Sequence, residues 1–113
     1  MKEHEVIILE KMKHYAVNAV VFMGSHSTIE EFSADYKTIA ACTQYLSQVG
    51  ECVSRLDDEF IRAFPQIPWR KLKNLRNQIV HDYDGIQVQI VWDILTKQIQ
   101  ELINNIDNLL QAN

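Results

Sequence analysis

Both prolines of this chain lie within one short segment, at Pro65 and Pro68, and only three glycines accompany them. Strands and the turns between them need more of these residues, so a chain of 113 residues with so few is expected to fold as helices. Its length suits one domain with a buried core. The sequence therefore predicts an all-α fold over residues 1–113, with its sharpest break at residues 65–68.

Apolar side chains recur at intervals of four and three residues in four segments, which is the spacing of one helix face. The predicted helices run from Glu3 to about Met23, from Ser33 as N-cap to about Leu56, from about Trp69 to residues 81–83, and from about Val88 to Leu110. A short further helix is predicted over residues 57–64. These segments indicate an antiparallel four-helix bundle with short connections.

Two glycines carry specific expectations. Gly50 lies inside the second helix at a cost of about 1 kcal/mol relative to alanine, which predicts that another backbone approaches there. Gly24 is placed to cap the first helix. Residues 20–23 before it are apolar on all sides, which predicts that the end of this helix is buried in a core or an interface.

The chain has no apolar run of the ~18 residues that a membrane span needs. Its acidic beginning, MKEHE, is unlike a signal peptide. A cytoplasmic protein without membrane contact is therefore expected. Cys42 and Cys52 are ten residues apart on one predicted helix. That is about 15 Å of axial rise, too far for a disulfide, so both are interpreted as small buried side chains.

The net charge of −4 is unevenly distributed. No acid occurs from residue 61 to residue 81, a stretch that contains Arg62, Arg70, Lys71, Lys73 and Arg76. A local basic patch on an acidic protein can bind a polyanion at one place. The alternative is that these cations only solvate a helix face.

The segment LRNQIVHDY, residues 75–83, brings together side chains suited to phosphodiester chemistry. Arg76 can bind a phosphate through two parallel hydrogen bonds and stabilise its developing charge. His81 can transfer protons near neutral pH. Asn77, four residues before His81 on the predicted helix, could orient the imidazole or contact the phosphate. The alternative for His81 is a favourable position at a helix C-terminus.

One straight helix would not direct Arg76 and His81 at the same phosphate. Five residues correspond to ~140° around an ideal helix. Three arrangements remain open: the helix unwinds before His81, the arginine reaches round, or two subunits of a symmetric dimer each supply part of a composite site.

Four segments together resemble the HepT-like (DUF86) branch of the HEPN superfamily: VGEC at 49–52, FPQIPW at 64–69, LRNQIVHDY at 75–83 and VW at 91–92. The resemblance covers about residues 35–110, with Cys52 where the family more often has alanine. It implies a dimerising helical bundle, in homodimers or higher hetero-oligomers, that acts as a ribonuclease toxin. It also implies an MntA-like nucleotidyltransferase antitoxin that can silence the toxin by transferring AMP to the motif tyrosine, here Tyr83.

The site residues follow from the motif chemistry and this resemblance together. Arg76 and His81 are expected to be catalytic, with Asn77, Tyr83 and Glu51 in support. The predicted RNA-binding patch consists of Arg70, Lys71 and Lys73. Glu51 could be a site acid or could pair with a cation of the third helix, and Tyr83 could simply pack its ring.

No metal or other cofactor is expected. The pair His81 and Asp84 lacks further ligands, since His4, His14 and His26 do not form a cluster with it by spacing. Trp69 and Trp92 are interpreted as core anchors, with base stacking as the alternative.

Two functions fit these residues. The first is a metal-independent endoribonuclease toxin that cleaves RNA through the Arg-x4-His-x-Tyr motif. The second is a non-catalytic helical adaptor that binds a nucleotidyltransferase. The sequence leaves open which RNA is cut, at which position, and whether the antitoxin acts by modification or by steric block.

Overall fold

The computed structural model describes residues 1–81 and 85–112, and for His81 it describes the backbone. Helices account for nearly all of the secondary structure in these residues. The helices are α1 (Glu3–Met23), α2 (Ile29–Ser33), α3 (Tyr36–Ser54), α4 (Asp58–Ala63), α5 (Trp69–Lys73), α6 (Leu75–Ile79), α7 (Val88–Asp93) and α8 (Ile99–Gln111), with a π-helical segment, Ile94–Gln98, between the last two. Two short strands, β1 (Val80–His81) and β2 (Gly85–Ile86), pair antiparallel.

The core lies between α1, α3 and the C-terminal helices. α1 packs along α3 and against α8, and α3 also contacts α5 and α6. The interior is mainly aliphatic, with Leu9, Met12, Leu46 and Ile106 fully buried. The all-α prediction is confirmed, and so are the bounds of the first helix and the presence of a short helix before residue 65.

The predicted close approach at Gly50 is also confirmed. A Cβ atom added at Gly50 would lie 2.8 Å from the carbonyl oxygen of Leu72 and 3.3 Å from that of Lys73. The first distance is shorter than real Cβ contacts and the second is tighter than most of them, so the absence of a side chain at Gly50 lets α5 lie directly on α3. This contact fixes the position of the basic segment relative to the core.

The start of the second long helix was predicted wrongly. Its N-cap is Asp35, which accepts hydrogen bonds from the Thr38 backbone N–H at 3.2 Å and the Thr38 hydroxyl at 2.6 Å. Ser33 instead ends the separate helix α2, which was not predicted. That helix places Phe32 in the core, with its ring centroid 5.3 Å from that of Trp92.

The end of α1 is not buried in the core. Val21 is 67% exposed and Phe22 is 47% exposed, whereas Met23 is buried. The core interpretation of this segment is therefore wrong, and its role in an interface stays a prediction. Gly24 follows the last residue of the helix as expected and its N–H donates to the carbonyl of Val21, but its φ of −59° is right-handed and not the left-handed conformation of a glycine cap.

The third predicted helix is shorter than expected and is divided at Asn74. Asn74 leaves the helical conformation between α5 and α6, and α6 ends at Ile79 instead of residues 81–83. Val80 is extended, with φ −109° and ψ 120°. This early end determines how the motif residues are presented.

No helix in residues 1–81 and 85–112 is long and apolar enough to cross a membrane.

Candidate functional site

The first half of the motif is held by two buried side chains. Leu75 and Ile79 are 1% and 0% exposed and anchor α6 in the core. Arg76 and Asn77 lie on the opposite, exposed side of this helix. The apolar residues thus fix the backbone while leaving the guanidinium free to meet a ligand from solvent.

The second half of the motif leaves the helix. The N–H of Val80 donates to the carbonyl of Arg76, and the N–H of Gln87 donates to the carbonyl of Ile79 at 2.7 Å. His81 then pairs with Gly85 across the two short strands. Gly85 has a φ of +71°, a left-handed conformation that favours glycine.

This backbone conformation bears on whether Arg76 and His81 can reach the same phosphate. The helix unwinds before His81, so the ~140° separation of an ideal helix does not apply to Arg76 and His81. The prediction that Asn77 and His81 share a helical face is wrong for the same reason. Tyr83 and Asp84 lie outside the described residues.

The basic segment is presented to solvent. Arg62, Arg70, Lys71, Lys73 and Arg76 are all exposed. The ion pairs found among the described residues involve other cations, such as Lys13 with Asp107. No acid occurs between residues 61 and 81 of the sequence, and Arg70 and Lys71 line one concavity, so this segment offers exposed cations to a polyanion.

A wide concavity of about 650 Å³ lies between α4, residues 65–68 and α5. Arg70, Lys71 and Asn74 line it together with apolar side chains. Trp69 also lines this concavity. Its indole N–H donates to the carbonyl of Phe64 at 2.9 Å, which holds the ring in place. Trp69 is buried and Trp92 packs on Phe32, as expected of core anchors.

Glu51 does not have the partner that was expected. It is exposed on α3, and no ion pair joins it to a described cation of the third helix. The pairing interpretation of Glu51 is therefore wrong for these residues, and its role as a site acid stays a prediction.

The two cysteines are buried and free, as expected of small core side chains. Burial, with a smaller effect of the Asp35 carboxylate, raises the pKa of the Cys42 thiol to about 11. The Cys42 thiol donates to the carbonyl of Ala19. Burial also raises the pKa of Cys52. Because thiolates are the reactive form, burial disfavours a nucleophilic role for either residue.

The structure also brings together three polar side chains whose proximity to one another the sequence did not predict. One ring nitrogen of His4 and one carboxylate oxygen each of Glu5 and Asp57 lie within 4.8 Å of one another. The Asp57 oxygen bonded to His4 at 3.2 Å is also 3.6 Å from the Lys2 ammonium. We interpret this cluster as an ion-paired link between the start of α1 and the start of α4, since the lysine already supplies a cation.

A sequence model described as "Ribonuclease HepT-like" matches residues 8–109. The chain belongs to the HepT-like ribonuclease family. The match spans α1 to α8 and includes the whole motif and the basic segment.

Relatives in this family carry corresponding names. A protein of Methanocaldococcus jannaschii named "Putative RNase MJ0127" is 34% identical over 104 residues, which is 92% of this chain and 82% of that protein. The "Probable ribonuclease HepT" of Thermococcus cleftensis is 31% identical over 80 residues, 71% of this chain and 73% of its own. No solved structure matches the chain. Membership of the HepT-like family supports ribonuclease activity with RNA as its substrate.

Proposed function

We propose that this HepT-like protein is a metal-independent endoribonuclease whose catalytic residues are Arg76 and His81. The proposal rests on one juxtaposition. An exposed arginine on α6 is followed closely by a histidine whose backbone has left the helix, in a segment with five exposed cations and no acid. Family membership supplies the substrate class, RNA.

The proposed reaction uses the RNA's own 2′-hydroxyl as nucleophile. His81 takes the proton of this hydroxyl, and the 2′-oxygen forms a bond to phosphorus. The bond from phosphorus to the 5′-oxygen breaks, and that oxygen leaves with a proton from solvent water. Arg76 stabilises the negative charge on the phosphoryl oxygens. The products are a 2′,3′-cyclic phosphate and a 5′-hydroxyl.

Cleavage of a labelled RNA by single-site variants tests this mechanism. We expect His81→Ala to lower the rate by about 10²–10⁴-fold and Arg76→Ala by about 10²–10³-fold, with unchanged thermal unfolding. Lys37→Ala, an exposed cation on α3, is the control. Activity should persist in EDTA. Equal cleavage by wild type and His81→Ala would remove the proposal and favour the adaptor function.

We propose a symmetric homodimer with a composite active site. A dimer that pairs the motif region with its own copy would double the basic patch and widen its groove. Mixing the inactive Arg76→Ala and His81→Ala variants tests this, because a heterodimer would then contain one intact site if the two groups come from different subunits. A monomer with full activity would exclude the composite site.

We propose that the protein is the toxin of a toxin–antitoxin pair and that Tyr83 is its modification site. The phenol oxygen would bond to the α-phosphorus of ATP, releasing diphosphate and the phenol proton. Chemistry at this position supports the idea, since Tyr83 follows the proposed catalytic His81 by two residues. Co-expression with a minimal nucleotidyltransferase should add AMP to wild type but not to Tyr83→Phe in intact mass spectra. An unmodified wild type beside an active partner would contradict modification.

A further inference from the structure

A second cavity lies on the other side of α5 from the wide concavity, between α5, α6 and the π-helical segment. Its volume is about 260 Å³. Its floor is made by the buried aliphatic side chains of Leu72, Leu75, Ile94, Ile99 and Leu102. This volume is below the ~300–1,000 Å³ of typical small-molecule sites, so it suits one ring system.

The rim of this cavity combines side-chain amides with one carboxylate. Gln98 and Asn105 contribute amide groups, which both donate and accept hydrogen bonds, and Glu101 contributes a carboxylate that accepts them. A carboxylate in the rim disfavours a phosphate inside the cavity. It suits the exocyclic amino groups of nucleobases, and aliphatic walls suit the flat faces of their rings.

This cavity adjoins the wide concavity described above. Lys71 and Pro68 line both this cavity and the wide concavity that contains Arg70. A phosphodiester bound at Lys71 would therefore lie at the mouth of the cavity, with room for its base inside.

The π-helical segment supplies one wall of the cavity through Ile94 and Gln98. Gln98 has a φ of −119°, away from regular helical geometry, at the junction with α8. π-helical insertions of this kind occur frequently at functional sites.

We propose that this cavity is a base-binding subsite that accepts one unstacked nucleobase of the RNA while Lys71 contacts the adjacent phosphate. This inference rests on the proposed ribonuclease function and adds to it a determinant of where the RNA is cut. The amide and carboxylate rim gives the subsite a preference among bases.

Filling the cavity from its exposed rim tests the subsite. Gln98→Trp places an indole at the mouth, and Gln100→Trp places the same side chain at an exposed position of α8 that does not line the cavity. We expect Gln98→Trp to raise the KM for RNA about tenfold, as for loss of one base contact. Gln100→Trp should leave the KM unchanged. Glu101→Gln is a milder second variant and should change the base preference at one position.

An RNA series with one abasic position moved along the strand makes the assignment specific. One abasic position should raise the KM of wild type about tenfold and have little further effect on Gln98→Trp. If the wild type cleaves RNA but every variant has the same KM and the same dependence of KM on the abasic position, the subsite is overturned and the ribonuclease function stands. If Gln98→Trp alters only self-association in size-exclusion chromatography, the cavity belongs to a protein interface and the subsite is overturned. If wild type neither binds nor cleaves RNA, both proposals fail.

Discussion

A Cβ atom added at Gly50 would lie 2.8 Å from the carbonyl oxygen of Leu72. The atom in the way belongs to the backbone of α5, so no side-chain rotation can relieve the contact. This one relationship connects the interior of α3 with the helix that carries the proposed RNA-binding cations.

Gly50→Ala should therefore destabilise the fold, although alanine is the better helix former by about 1 kcal/mol. Overpacking typically costs about 1–3 kcal/mol, and relief requires α5 to move. We expect a lower free energy of unfolding in urea and a lower kcat/KM for RNA. Gln44→Ala, at an exposed position of the same helix, should change the free energy of unfolding by less than about 0.5 kcal/mol. An unchanged midpoint for Gly50→Ala would show that α5 can shift without cost.

Gly85 tests whether the strand pairing positions His81. Its φ of +71° is unfavourable for other residues, whereas among the described residues no atom beyond the chain neighbours of Gly85 lies within 4 Å of an added Cβ. Gly85→Val should thus incur the backbone penalty of about 1–2 kcal/mol, and Gly85→Asn much less, because asparagine tolerates this conformation. We expect kcat to fall for valine and to be largely kept for asparagine. Equal kcat values for both variants would show that the pairing does not matter for catalysis.

The sequence predicted best the features that repeat along the chain. The apolar spacing of α1 recurs over its full length, so both of its ends were predicted correctly. Gly50 was informative because a glycine inside a long helix usually marks the place where another backbone lies close. Both signals come from residues close together in the sequence, and the packing of the helices is consistent with them.

The start of α3 was harder to predict because two residues could each act as its N-cap. Ser33 and Asp35 are both good caps. The choice depends on α2, which is held by the packing of Phe32 on Trp92, a contact between distant parts of the chain. The pattern from Thr28 to Glu31 was an available signal, since Thr28 accepts a hydrogen bond from the Glu31 N–H.

The π-helical segment was not predicted from the sequence. Its neighbourhood has buried residues at Val91, Ile94, Leu95 and Ile99, a spacing that a regular amphipathic helix also produces. The cavity beside this segment was not predicted, because its walls come from α5, α6 and α8 together.

The candidate site was predictable in its residue types and not in its geometry. Arg76 and the cations of α5 are exposed, as a binding surface requires. The end of α6 at Ile79 depends on pairing with residues 85–86, which the helical pattern of residues 75–83 conceals. The placement of Tyr83 lies outside the described residues.

The salt dependence of RNA binding tests the exposed cations one at a time. Lys73→Gln should weaken binding of a 2′-O-methyl RNA, which cannot be cleaved. It should also reduce the slope of log affinity against log salt by ~0.7, the value for one phosphate contact to a single strand. Lys37→Gln removes the same charge from an exposed position outside the basic segment and should keep the wild-type slope. Equal slopes for both variants would rule out a specific contact at Lys73.

Acid stability tests the N-cap of α3. Hydrogen bonds from the Thr38 hydroxyl, His26 and the Thr38 N–H lower the pKa of Asp35 from 3.8 to about 2. Because the unfolded chain binds this proton first, Asp35 contributes stability above pH 3.8 that is lost as the pH falls to about 2. Asp35→Asn keeps a capping oxygen but cannot titrate, so its free energy of unfolding, measured in urea, should fall less over this range. Thr38→Val removes the largest contribution to the shift and should give an intermediate profile. A wild-type profile for Asp35→Asn would mean that other carboxylates dominate acid unfolding.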